Sequence, residues 1–253
     1  IQYIVEEAVK SGIEDILIIV SRGKTTIEDH FDRSPELENR LLETEKQDTY
    51  EDIVNITKMA NIVFVRQQEQ KGLGHAILQA KSFVGDEAFA VLYGDDVIIG
   101  DDPVCAQLCR VYEEYGLGTL GIKKVSEDAI TKYSSLKISS IRDNIFSVTD
   151  MIEKPSKNEI MSLYSILGRC ILPAEIFPIL ENTPVGTGNE IQLTDAMRVL
   201  AKKYGMIGVD YTGTRYDMGN KLGILQATVE VAINHPEVGE DFKKYLKNLV
   251  NSI

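Results

Sequence analysis

The chain has little of what marks secreted, membrane-spanning or nucleic-acid-binding proteins. Its three cysteines in 253 residues are too few for the disulfide framework of a small secreted fold, and no apolar run approaches the roughly 18 residues of a membrane helix. A reducing cytoplasm is the expected compartment. Positive charge is also short: 27 Lys and Arg against 39 Asp and Glu leave a net charge of -12, and a field of that sign repels nucleic acid and anionic membrane surfaces. Neither is expected as a partner, and any phosphate this protein handles must be met by local cations. Long Gly/Ser/Pro linkers, internal repeats and low-complexity tracts are missing too. Residues 1–253 are therefore expected to form a single domain, for which a 43% hydrophobic content supplies a sizeable core.

What is present is an alternation of helix-like and strand-like periods. Helices are expected near 1–11, 102–115, 191–204, 220–234 and 239–251, and strands near 16–20, 62–67, 89–93, 119–125, 136–141, 146–153, 166–172 and 207–211. Several strands are short apolar runs without polar alternation, the pattern of strands buried on both faces. The expected class is α/β, with a mainly parallel central sheet flanked by helices. Residues 36–59 interrupt the rhythm with a charged, helix-forming stretch, read as an inserted helical pair. The last helix carries Phe242, Leu246, Leu249 and Val250 on one side and lysines on the other, which predicts a packed tail helix. Cys105 and Cys109 fall four apart on one helix face, but no further ligand with zinc-like spacing accompanies them, so they read as structural thiols.

Candidate chemistry sits where turns meet these elements. In Gly186-Thr187-Gly188-Asn189-Glu190-Ile191-Gln192-Leu193-Thr194-Asp195 a glycine turn runs into an amphipathic helix, where Asn189 and Glu190 can cap the helix or offer polar groups to a ligand hydroxyl. Gly94-Asp95-Asp96 follows an apolar strand, which puts carboxylates at the carboxyl edge of a parallel sheet, either as helix caps or as ligands of a hard cation. Glu153-Lys154-Pro155 ends a strand, and the proline restricts the residue before it. Its Lys is a compact charge suited to a phosphate, or one half of an exposed ion pair. Arg22-Gly23-Lys24-Thr25 has the tail of a phosphate loop, but the earlier glycine would fall at Ile18. It reads as an ordinary connection with Lys24 as a solvated charge.

Taken in order, Ile1-Gln2-Tyr3, Val65-Arg66-Gln67, Lys71-Gly72-Leu73-Gly74-His75-Ala76, Gly94-Asp95-Asp96, Ile152-Glu153-Lys154-Pro155, Gly168-Arg169, the 186–197 segment and Tyr216-Asp217-Met218-Gly219-Asn220-Lys221-Leu222-Gly223 resemble the bacterial UTP:glucose-1-phosphate uridylyltransferases, or UDP-glucose pyrophosphorylases. The resemblance implies a Rossmann-like nucleotidyltransferase fold and transfer of a uridylyl group from UTP to glucose 1-phosphate. It implies Mg²⁺ held by Asp95 and Asp217, with Asp95 and Lys154 as catalytic residues. It places the pyrimidine at Gln67 and Gly72, and the sugar at Glu153, Gly168 and Glu190. It also implies a homodimer or homotetramer, with the helical insertion as the contact. In the family a first strand and a glycine-rich nucleotide loop precede the first helix, and the chain is expected to lack both. Two positions depart from the pattern: Ser134 stands at a sugar-binding position where the family usually has glycine, and Leu163 where an asparagine is common. The rival expectations are a thymidylyltransferase or other sugar-1-phosphate nucleotidyltransferase, and a non-catalytic paralogue that binds sugar nucleotide.

Overall fold

The computed structural model describes residues 1–251. Along the chain run α1 (Gln2–Lys10), β1 (Asp15–Val20), α2 (Thr25–Phe31), α3 (Pro35–Glu43), α4 (Gln47–Thr57) and β2 (Asn61–Arg66), then α5 (Leu73–Leu78), α6 (Lys81–Val84), β3 (Phe89–Leu92) and β4 (Asp96–Ile99). They are followed by α7 (Val104–Tyr115), β5 (Thr119–Lys124), α8 (Glu127–Ile130), β6 (Ser134–Arg142), β7 (Ile145–Glu153) and β8 (Tyr164–Leu172). The chain closes with α9 (Ile176–Glu181), α10 (Leu193–Tyr204), β9 (Met206–Asp210), β10 (Thr214–Asp217), α11 (Lys221–Ile233) and α12 (Gly239–Val250). Every strand and helix expected from the periodicity is present, and the 36–59 segment is the helical pair α3–α4.

Strand direction differs from the expectation. The central sheet runs β3-β8-β5-β9-β7-β6, and of its neighbours only β5 and β9 pair in parallel, the rest being antiparallel. The parallel pair β1–β2 lies in a separate sheet. The sheet is therefore mixed. Helices cover both faces whichever way the strands run, so an unbroken apolar run reports burial and carries no information about direction.

Alternation along each strand divides the core. Cys170 and Leu172 of β8 face one cluster with Phe177 and Leu180 of α9 and Met197 and Leu200 of α10. Ile171 between them faces the other way, onto Val104, Leu108 and Val111 of α7. The period of two thus places one layer of helices on each side. Leu108 and Leu120 are fully buried, each contributing on the order of 1.5–3 kcal/mol by leaving water.

One ion pair joins three elements inside this core. Arg169 of β8 is 1% exposed and Glu7 of α1 6% exposed, and the guanidinium donates to both carboxylate oxygens at 2.7–3.1 Å. Arg169 also donates to the carbonyl of Asp96 at 3.0 Å, while Glu7 accepts from the backbone N–H of Cys105 at 3.1 Å. Every charge here has a partner, which a buried pair requires.

Two further expectations are corrected. Neither Asn189 nor Glu190 caps α10: Asn189 sits in a left-handed conformation (φ 61) in a short 3-10 turn, Glu190 is extended, and Gln192 occupies the N-cap with its side-chain amide donating to Glu190 Oε2 at 3.3 Å. The turn closes through the Gly186 N–H on the Glu190 carbonyl (2.8 Å), so the helix starts later than the glycine turn implies. The tail helix α12 is only partly packed, with Phe242 and Leu246 half-buried but Leu249 and Val250 exposed. No helix among the described residues is long and apolar enough to cross a membrane.

Candidate active site

A cleft of about 180 Å³ opens where β4, β6, β7, β8, β10, α10 and the start of α5 converge. Asp95 comes from the turn between β3 and β4, Asp96 from the first position of β4, Tyr133 and Ser134 from the entry into β6, and Glu153 from the end of β7. Leu167 of β8, Thr194 in the first turn of α10, and Arg215 and Asp217 of β10 complete the wall. The strands β4 and β10 are absent from the sequence expectation. They are four residues each and pair antiparallel with each other, setting Asp217 opposite Asp96. Asp95 thus stands at the turn into this small ribbon, away from the carboxyl edge of a parallel sheet.

Asp95 and Asp217 converge on one point. A Cβ added to Gly219 would lie 3.0 Å from Asp217 Oδ1 and 3.6 Å from Asp95 Oδ2, so glycine is the residue that leaves both oxygens open. The backbone locks the arrangement, since the Met218 N–H donates to the Asp95 carbonyl at 2.7 Å. No three His, Cys, Asp or Glu side chains among the described residues are arranged so that they could hold a metal ion together. Two carboxylates with room beside them are nonetheless the donor set of Mg²⁺, which keeps waters and takes phosphate oxygens for the remaining positions. These residues fit such an ion.

Asp217 is held by groups the sequence did not single out. The Tyr133 hydroxyl donates to Oδ2 at 3.0 Å, the Gly219 N–H donates to Oδ1 at 2.9 Å, and Arg215 Nη2 lies 3.9 Å from Oδ2. Burial alone would raise the Asp217 carboxyl, but the Tyr133 hydroxyl, the Gly219 amide and the Arg215 charge together hold it below the ordinary carboxylate range. Asp217 therefore stays anionic and ready for a cation. Asp96 plays another part. It is 3% exposed and touches Arg215 Nη2 at 2.5 Å, yet Oδ1 meets no aligned donor, so the contact is ionic attraction rather than a well-formed hydrogen bond. Burial raises its carboxyl against the pull of Arg215.

Glu153 and Lys154 diverge after β7. Glu153 faces the cleft, where the Thr194 hydroxyl donates to Oε2 at 2.9 Å and Oε1 keeps its acceptor capacity. Burial pushes this carboxyl up, with Thr194 opposing. Lys154 has φ 47, unusual for a side chain with a Cβ and kept only where the surroundings hold the backbone there. Its N–H donates to the Tyr133 carbonyl at 2.8 Å, which fixes the bend before Pro155. The side chain is exposed, forms no ion pair among the described residues, and is not part of the cleft wall.

Ser134 does line the cleft, but its hydroxyl is already engaged, pairing with Ser165 Oγ and accepting from the Ile166 N–H, each at 3.1 Å. Gly168 lies behind the wall in β8, where an added Cβ would stand 3.1 Å from the Asp96 side chain. Leu163 is outside the lining residues.

Gln67, Gly72 and Glu190 form a neighbouring group at the end of β2. Gly72 has φ +93, and a Cβ there would lie 2.6 Å from Glu190 Cβ and 2.9 Å from the Ile191 carbonyl, so only glycine permits the approach. The Gly74 N–H donates to Ile191 O and the Ile191 N–H to Lys71 O, both at 2.8 Å. Two motifs about 120 residues apart in sequence are thereby stitched together, and Leu73 joins this group to the main cleft.

The cleft wall carries four carboxylates and a single arginine. Such a surface repels phosphates unless cations enter with them. The fold and the acidic cleft are those of a transferase that handles nucleotides. The nucleotidyl transferase family model matches residues 1–233. A UTP--glucose-1-phosphate uridylyltransferase of Bacillus subtilis, YngB, is 44% identical over 250 residues, 99% of this chain and 84% of that protein. A UTP-bound UGPase from Acinetobacter baumannii superposes with a TM-score of 0.90 at 33% identity, covering 98% of this chain and 87% of that one. A UDP-glucose pyrophosphorylase complexed with UDP-glucose gives 0.83 at 35% identity, covering 92% and 86%. The chain belongs to the nucleotidyl transferase family, within its UTP–glucose-1-phosphate uridylyltransferase branch.

Proposed function

We propose that this protein transfers the uridylyl group of UTP to glucose 1-phosphate, giving UDP-glucose and pyrophosphate. The observation that carries the reading is the convergence of Asp95 and Asp217 on the open face of Gly219 within a cleft that also contains Glu153. A sugar-phosphate oxygen attacks the α-phosphorus, the new O–P bond forms, and the bond to the β-phosphate oxygen breaks with pyrophosphate as the leaving group. The nucleophile is already an anion, so no general base is needed, and positioning with charge neutralisation supplies the rate. Mg²⁺, when bound by Asp95 and Asp217, would neutralise phosphate charge. Lys154 meets the sugar phosphate from outside the cleft wall. Glu153 holds a sugar hydroxyl through Oε1, with Thr194 fixing the carboxylate plane. Gly168 and Ser134 shape the sugar side, Glu190 closes it, and Gln67 with Gly72 faces the pyrimidine.

We place the reaction in the cytoplasm, in keeping with three free thiols, and assign self-association as a homodimer or homotetramer to the α3–α4 insertion. That pair presents Leu37 and Leu42 at 44% and 45% exposure. The test is UDP-glucose formation by the full-length protein from UTP and glucose 1-phosphate with Mg²⁺, with dTTP as competitor. Rapid UDP-glucose formation that a tenfold excess of dTTP barely slows supports the reading. Preference for dTTP, or no product from folded protein, removes it.

A further inference from the structure

His75 is absent from every role given above, yet its ring touches the one side chain placed against the pyrimidine. The Gln67 amide nitrogen lies 3.2 Å from the Gly72 carbonyl and 2.9 Å from His75 Nδ1. Which end of a glutamine amide is nitrogen is settled by its partners. A carbonyl can only accept, so the end facing Gly72 O is the NH₂ group. Its second hydrogen then points at His75 Nδ1, which must be the acceptor, and the imidazole proton sits on Nε2. Both amide hydrogens are used, and Gln67 Oε1 is left without a donor among the described residues.

Five residues on, the Gly72 N–H likewise donates to no described group, at φ +93 where the backbone is held against Glu190 and Ile191. The loop therefore offers one bare acceptor and one bare donor. That pair complements an imide edge, in which a ring N–H stands beside a carbonyl, as in uracil. In a pose that sets Gln67 Oε1 at the ring nitrogen and the Gly72 N–H at the adjoining ring carbonyl, cytosine is refused, because its ring nitrogen there is an acceptor facing an acceptor. A Gln67 amide rotated by half a turn would present NH₂ instead and reverse the preference. Among the described residues, only the Gly72 carbonyl and His75 Nδ1 oppose that rotation.

We propose that His75 is a positioning residue for base selection, holding Gln67 with its oxygen towards the nucleobase so that an imide-bearing pyrimidine nucleotide is accepted and a cytidine nucleotide is refused. The proposal rests on the reading that Gln67 faces the base of the nucleotide substrate.

Two experiments on the full-length protein test it. In the first, kcat/KM is measured for UTP and for CTP with glucose 1-phosphate, in wild type, His75→Ala and His75→Asn. Loss of one neutral hydrogen bond predicts that His75→Ala shrinks the UTP-to-CTP preference by about tenfold, chiefly through KM for UTP. Asn, whose side-chain oxygen can accept where Nδ1 does, should return the ratio to within about threefold of wild type. Equal losses with both nucleotides, or an Asn variant no more selective than the Ala variant, would overturn the proposal. The second needs no turnover: ¹⁵N shifts of the His75 ring in the unliganded protein should report a protonated Nε2 and a bare Nδ1. The opposite tautomer overturns the orientation lock even if uridylyl transfer is confirmed. Absent turnover with the expected tautomer would instead strike the assignment of substrate.

Discussion

Glu153 shows stability and use pulling against each other in one side chain. Burial raises its carboxyl above the ordinary glutamate range, so the folded protein holds this proton more tightly than the unfolded chain. Stability is then lost as pH rises from the ordinary carboxyl range through the raised value. Glu153→Gln removes the buried charge and keeps an acceptor for Thr194. Thermal unfolding should find this variant more stable than wild type at pH 7 by on the order of 1 kcal/mol, or about 2–4 °C for a chain of this size. The difference should vanish towards pH 4, while activity falls. A variant less stable at pH 7 contradicts the assignment of a strained carboxylate. Tyr133 makes the complementary case. Removing its hydroxyl from Asp217 by Tyr133→Phe should weaken Mg²⁺ binding by about 2- to 10-fold, measured by calorimetry, with little loss of fold. Unchanged affinity would mean that the bond does not prepare Asp217.

Among the elements, α1 does more than cover the sheet, because Glu7 joins it to β8 and α7 and through Arg169 to the Asp96 carbonyl. Glu7→Ala would leave a guanidinium buried without its counter-charge. A loss of about 3–5 kcal/mol in denaturant unfolding is expected; a loss under 1 kcal/mol would show that the guanidinium finds other partners. The same elements show what a sequence can and cannot say. Strands such as Tyr164–Leu172 were legible because alternate residues meet helices on opposite faces, and the 36–59 insertion because its charge breaks the apolar rhythm. Strand direction was not legible, since burial on both faces looks the same either way. The ribbon of Asp96–Ile99 and Thr214–Asp217 was hidden by its length and by charged residues that pair only across the fold. Asp95, Glu153 and Asp217 could be found from motif order, whereas Tyr133, Arg215 and Thr194 gain their meaning from contacts set by topology, the first of them across 84 positions of sequence.

For the whole molecule, the surface carries both the acidity and the face proposed for self-association. The net charge of -12 and a cleft with four carboxylates make a divalent cation the natural companion of any phosphate that enters. The exposed leucines of α3 sit on the inserted pair rather than at the cleft, so Leu37→Glu with Leu42→Glu should shift light-scattering mass towards monomer and leave the cleft geometry intact. An unchanged mass would move the contact elsewhere, with the exposed Leu222 and Leu225 of α11 as the next surface to examine. The most direct measurement compares wild type and Asp95→Ala in the full-length protein, following pyrophosphate release from UTP and glucose 1-phosphate alongside Mg²⁺ binding. The cleft geometry predicts turnover in wild type that is abolished by chelation, and in the variant a loss of at least about a hundredfold with weakened metal binding. Wild-type-like turnover by Asp95→Ala would contradict a metal-centred transfer at this cleft.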